Sequence, residues 1–146
     1  MPTSTTHVFR ALLKPKLYRD IEIEGGKSLA NLAEAIVTAF DFEFDHPFGF
    51  YGNLKDPYRG AGERYELFAD MEGAESDAKS VEKTKIAEVF KTTGKKMLFL
   101  FDYGDEWRFQ VELRTLGKKA PNARYPRLLS SAGDAPSQYG DDEDEE

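Results

Sequence analysis

The strongest constraint in this chain is a period-two alternation on either side of a short turn. Residues 97–103 read MLFLFDY and residues 107–113 read WRFQVEL. Met97, Phe99, Phe101 and Tyr103 share one parity. Across the turn Trp107, Phe109, Val111 and Leu113 alternate with Arg108, Gln110, Glu112 and Arg114. Successive strand side chains point to opposite faces, so segments 97–103 and 107–116 are predicted to pair as a hairpin with one buried face. Gly104 supplies the backbone freedom that the connecting turn needs.

The N-terminal third repeats the pattern. Segments 7–14 and 17–24 read as strands separated by Lys14-Pro15-Lys16. In the second, Leu17, Ile21 and Ile23 face one way and Tyr18, Asp20, Glu22 and Glu24 the other. Gly25-Gly26 ends it, Ser28 offers an N-cap oxygen, and Leu29, Leu32, Ala33, Ile36, Val37 and Phe40 recur at helical spacing. A helix over 28–40 should therefore lie against the sheet. Beyond it, a short strand after Pro47, another over 64–69, a loop over 70–79 and one or two helical turns within 84–90 are predicted. The fold class expected is α+β, one mixed or antiparallel sheet of about five to six strands packed against one main helix and one short helix.

A chain of 146 residues suits one core. The expected division is a flexible N-terminus at 1–6, a single domain over 7–129, and an acidic, disordered tail over 130–146. Of 27 acidic residues, six make up positions 141–146, which leaves 21 against 20 basic residues in the rest. A body so near neutrality has no broad positive field for phosphates, so direct nucleic-acid binding is not expected. The absence of cysteine excludes disulfides, thiolate nucleophiles and cysteine-based metal sites. No apolar run nears the roughly 20 residues of a membrane span, and the first residues lack a signal-peptide core. A cytoplasmic protein without a membrane partner is the expectation.

The chemical motifs are incomplete. Gly26-Lys27-Ser28 follows a strand and opens a helix, but the glycine that a phosphate-binding loop needs five positions earlier is Ile21. Asp41, Glu43 and Asp45 have the spacing that begins a calcium loop, yet His46 and Gly52 stand where glycine and glutamate belong. Of the two histidines, His7 lies near a terminus expected to be mobile, while His46 sits among aromatics and is a candidate base or ligand. Asp102, Asp105 and Glu106 at the hairpin turn form the best carboxylate cluster, able in principle to hold Mg²⁺ or to move a proton. The alternative is that an aspartate accepts turn N–H groups while Glu106 faces water. Phe48, Tyr51, Tyr103 and Trp107 are candidate binding aromatics, with core packing as the competing role.

Residues 84–113, and within them Phe101-Asp102-Tyr103-Gly104-Asp105-Glu106-Trp107, resemble the signature of the plasmid pRiA4b ORF-3-like family. The opening strand–strand–helix and Tyr125-Pro126 are similar to it too, so the likeness spans about residues 7–130. Such proteins occur on plasmids and other mobile elements, and the resemblance implies an α+β domain without an established activity. Where relatives often carry a His-x-His this chain has Phe44 and His46. Phe109 stands in place of another histidine, and Leu128, Ala135 and Gly140 fall about where cysteines cluster. With at most His46 kept, the resemblance transfers no metal site, and no metal or other cofactor is expected.

The function expected is a non-catalytic interaction module for an unknown protein partner or for self-association. Two alternatives stand beside it. One is a metal-dependent enzyme using Asp102, Asp105 and Glu106 with His46. The other is a nucleic-acid accessory using a basic strip of Lys14, Lys16, Arg19 and Lys27.

Overall fold

The computed structural model describes residues 5–57, 63–67 and 79–138. Most of the predicted loop at 70–79, the end of the segment at 64–69, positions 1–4 of the expected flexible N-terminus and positions 139–146 of the expected tail lie outside the described residues.

Among the described residues eight strands form one sheet: β1 (Thr5–Lys14), β2 (Leu17–Glu24), β3 (Phe48–Tyr51), β4 (Arg64–Glu66), β5 (Lys79–Ser80), β6 (Lys96–Phe101), β7 (Trp107–Lys118) and β8 (Arg127–Ala132). Their order is β5-β4-β3-β6-β7-β1-β2-β8. Of these pairs only β4–β5 is parallel. The predicted hairpin is present, with Phe99 opposite Phe109, and the two strands read at 7–14 and 17–24 pair antiparallel with Phe9 opposite Ile21. The count of five to six strands was too low because β5 has two residues and β8 has no alternation for a period to reveal. Among the described residues helical content is small, confined to α1 (Leu29–Ala39) and α2 (Ile86–Val89), and sheet predominates. Among the described residues no helix is long and apolar enough to cross a membrane.

The alternation in β6 is buried on both faces. Met97, Phe99 and Phe101 join the main core under α1, while Leu98 and Leu100 join Tyr51 and Tyr103 on the opposite face. Tyr103 therefore does not share the face of Phe101, as its parity predicted. The strand ends at Phe101 and Asp102 takes a left-handed conformation (φ 68°), which redirects the chain.

Helix α1 is fixed at both ends. The Ser28 hydroxyl accepts a hydrogen bond from the Asn31 N–H at 3.1 Å, and the Asn31 side chain accepts one from the Ser28 N–H at 3.1 Å. The next two N–H groups donate to the Thr84 and Val81 carbonyls at 2.9 and 3.1 Å. Donors that would otherwise attract an anion at a helix start are thus occupied, as the incomplete phosphate motif implied. At the other end Arg19 donates to the Ala39 carbonyl at 3.1 Å and lies over the Phe40 ring, placing a cation where a helix dipole favours one.

The core under α1 is a continuous aromatic contact. Phe99 lies 4.8 Å from Phe50 and 5.5 Å from Phe109 between ring centroids, and Phe109 lies 5.0 Å from Phe40. Phe99→Ala is expected to lower stability by roughly 3–5 kcal/mol through lost contacts and an unfilled cavity. Leu54→Ala, at an exposed position, should change it by under about 0.5 kcal/mol. Urea unfolding of the two variants measures the contrast.

Candidate functional site

The hairpin turn is built around Asp102. Its N–H donates to the Pro47 carbonyl at 2.9 Å, and its carboxylate Oδ1 accepts from the N–H groups of Gly104 and Asp105 at 3.0 and 3.3 Å. The carboxylate is therefore the internal cap of its own turn, and the residue is only 6% exposed. Its other oxygen, Oδ2, lies 3.5 Å from His46 Nε2. On the far side of the ring, His46 Nδ1 is 2.7 Å from Asp45 Oδ1, which also receives the Gln138 amide at 3.3 Å.

His46 thus meets the hairpin turn, and both of its ring nitrogens face carboxylates of the chain. That arrangement brings the 41–47 loop against the turn. The three turn carboxylates do not converge. Asp105 is exposed, and Glu106 pairs with Arg108 at 2.7 Å. A shallow cavity of about 290 Å³ lies beside the ring, bounded by Phe44, Phe48, Leu67 and Glu82. Among the described residues no three His, Asp or Glu side chains are grouped to hold a metal ion.

The four candidate binding aromatics are divided between the two sides of the sheet. Phe48 is buried in the main core, and Trp107 packs edge-on against Phe42 at 4.8 Å. Tyr51 and Tyr103 lie on the other face, their hydroxyls 2.8 Å apart, with Tyr51 donating to Glu66 at 2.6 Å. Burial and these bonds push the Tyr51 phenol far above its usual range. A Cβ on Gly49 would stand 2.6 Å from the Tyr51 hydroxyl, so only glycine fits beneath the pair. The four candidate binding aromatics form no common surface.

The basic strip is also dispersed. Arg19 is buried with its guanidinium on the carbonyls of Tyr18, Ala39 and Ala132. Lys14 and Lys16 flank the start of β2 and Lys27 follows its end. His7, expected near a mobile end, is 3% exposed inside β1, with its Nε2 3.1 Å from the Phe90 carbonyl and its Nδ1 without a partner among the described residues. Gly25 makes room for this ring, since a Cβ there would lie 2.6 Å from it.

A groove of about 460 Å³ opens between α1 and the 125–128 segment. Ile21 and Ile23 of β2 lie along it, Ala35 and Ala39 of α1 form one wall, and Tyr125 and Leu128 the other. Lys27, Asn31, Glu34 and Arg127 add polar groups to its lining. The volume falls in the range of small-molecule and peptide sites. Sequence reasoning missed the groove because order was expected to fade by about residue 130. Instead β8 runs across the boundary drawn at 129, and described structure continues to Gln138, whose side-chain amide pairs with the Glu43 backbone at 2.8 and 3.1 Å.

The sequence profile of the plasmid pRiA4b ORF-3-like proteins matches residues 7–141. The chain belongs to that family. The crystal structure of a protein of unknown function, MM3350 from Methanosarcina mazei Go1, is similar at a TM-score of 0.74 and 20% identity, over 93% of this chain and 74% of that one. This likeness shows the fold. No curated protein matches the chain. The member in hand therefore pairs the family's turn with a histidine clamp: Asp102 caps the turn and His46 holds it to the preceding loop.

Two stability predictions follow from these contacts. Asp102→Ala strips two turn N–H groups of their acceptor and places alanine at φ 68°, so it should cost about 1–3 kcal/mol. Asp102→Asn, which keeps an acceptor and tolerates that conformation, should cost less; chemical denaturation of both checks the order. For His7, burial lowers the pKa, and the bond to Phe90 offsets this only in part. The unfolded chain then binds the proton more readily than the folded one. Stability is complete above about pH 6.5 and declines as pH falls from there toward the lowered folded value. His7→Gln should flatten the slope of unfolding free energy between pH 7.5 and 5.5.

Proposed function

We propose that the chain is a non-catalytic binding module that takes an apolar segment of a protein partner in the groove between α1 and β8. The observation that carries this reading is the groove itself. It sets Ala35, Ala39 and Leu128 at solvent above the buried side chains of Ile21 and Ile23, with polar groups around them that can fix a segment's orientation. Leu128 is 51% exposed on its wall, an apolar side chain available to a partner.

A second reading, a metal-dependent enzyme using His46 and the turn carboxylates, is favoured by the 3.5 Å approach of His46 to Asp102. The separation of Asp105 and Glu106 from that contact weighs against it.

One set of experiments separates the two. Peptides selected from a random displayed library on the full chain are titrated into labelled protein and followed by NMR. The module reading expects shifts at Asn31, Ala35 and Leu128, and loss of binding in Leu128→Asp with an unchanged melting temperature. Shifts confined to the 44–48 and 102–106 segments would count against it. A rise in melting temperature with Mg²⁺, Mn²⁺ or Ca²⁺ that Asp102→Asn removes would instead favour the enzyme.

A further inference from the structure

The two edges of the sheet differ. The β5 edge is two residues long and carries exposed Lys79, a length and a charge that discourage another strand from adding there. The β8 edge has six residues, five of them exposed, and among the described residues no strand lies beyond it. Residues 128–132 read Leu-Leu-Ser-Ser-Ala, without a charge or a proline. Leu128 and Leu129 stand 51% and 47% exposed on this edge. An edge of that kind is a template for strand addition.

We propose that β8 pairs antiparallel with β8 of a second copy of this chain about a two-fold axis, which deepens the binding-module reading and rests on it. The strand is suited to its own kind. Self-pairing over 128–132 opposes no like charges. Antiparallel order also brings Arg127, which pairs with Glu22 of its own chain at 2.8 Å, toward exposed Asp134, just past the end of the other strand. Such a contact is isologous and closes on itself, so it yields a dimer and not a fibre.

The pairing has a consequence for the groove. Strands β2 and β8 of the two copies would make a four-stranded floor, three spacings of ~4.8 Å wide, flanked by α1 from each copy. The two grooves then open on the same face of the joined sheet, with Tyr125 and Leu128 of each copy between them. The ligand class is accordingly a pair of apolar segments, one in each groove beside its own α1.

Sedimentation equilibrium of the full chain over rising concentration tests the proposal, together with one cysteine variant. The chain has no cysteine, so a disulfide formed by S130C reports only its own proximity. The expected result is a concentration-dependent dimer, lost in L129K while the melting temperatures of the two chains agree at concentrations low enough for both to be monomeric, and rapid oxidative cross-linking of S130C but not of K16C, at the exposed β1–β2 turn. A monomer at every concentration overturns the proposal, as does a dimer that L129K leaves intact while S130C fails to cross-link. Peptide binding by monomeric L129K distinguishes the two failures: if it persists, the module reading stands without the dimer, and if the dimer forms but no selected peptide binds, only the groove reading falls.

Discussion

Phe99 is the residue on which the arrangement depends. Its ring meets Phe48 and Phe50 of β3, Phe101 of its own strand and Phe109 of β7, and Phe109 carries the contact on to Phe40 at the end of α1. Three adjacent strands and the one substantial helix are thereby joined through rings at centroid distances where offset and edge-on contacts are favourable. Because β6 is also covered on its other face by Tyr51 and Tyr103, it cannot slip by one residue without exchanging two apolar faces that differ in size. Register in the centre of the sheet is therefore set by side chains, and the hairpin turn follows from it.

What the sequence disclosed is what side-chain periodicity governs. Strands β1, β2, β6 and β7 and helix α1 carry their burial in their spacing, and all five were legible. Strand β8 was not, since its place is set by backbone pairing with β2 and by ion pairs such as Arg127 with Glu22 at 2.8 Å. Arg19 shows the limit of a parity argument: it shares the inward parity of Ile21, and it is inside because the end of α1 supplies carbonyls to its guanidinium. The proximity of His46 to Asp102 could be posed as a question from sequence but not answered, because it depends on β3 pairing with β6. The groove was illegible for a further reason, as its far wall lies in the segment where order was expected to end.

The face of the sheet away from α1 shows why charged strands need not signal a charged partner. Arg10 meets Asp20 at 2.8 Å across the β1–β2 pair, and Thr6 of β1 and Arg127 of β8 both bond Glu22 of β2, which is nearly buried. Burial alone would raise the Asp20 pKa, yet hydrogen bonds from Arg10 and Ser130 hold it below the usual carboxylate range. Opposed strands thus neutralise one another across the ladder, and cross-strand pairs of this kind contribute a few tenths of a kcal/mol to about 1 kcal/mol each. The near-neutral total over residues 1–140 reflects this local matching.

The position of the groove follows from how little helix the chain has. Eight strands spaced ~4.8 Å apart span roughly 34 Å, whereas a helix with its side chains is about 10 Å across. One helix of 11 residues cannot cover such a sheet. Toward β3 and β6 the shortfall is met by the phenylalanines of the 40–48 loop, with Phe42 against Trp107 and Phe44 against Phe48. Toward β2 and β8 that loop supplies no ring, and Tyr125 stands apart on the groove's far wall. The small side chains Ala35 and Ala39 face that way, and Ile21 and Ile23 complete the concavity. A groove stays open at the β2–β8 end because the phenylalanines of the 40–48 loop are placed on the other side of the helix.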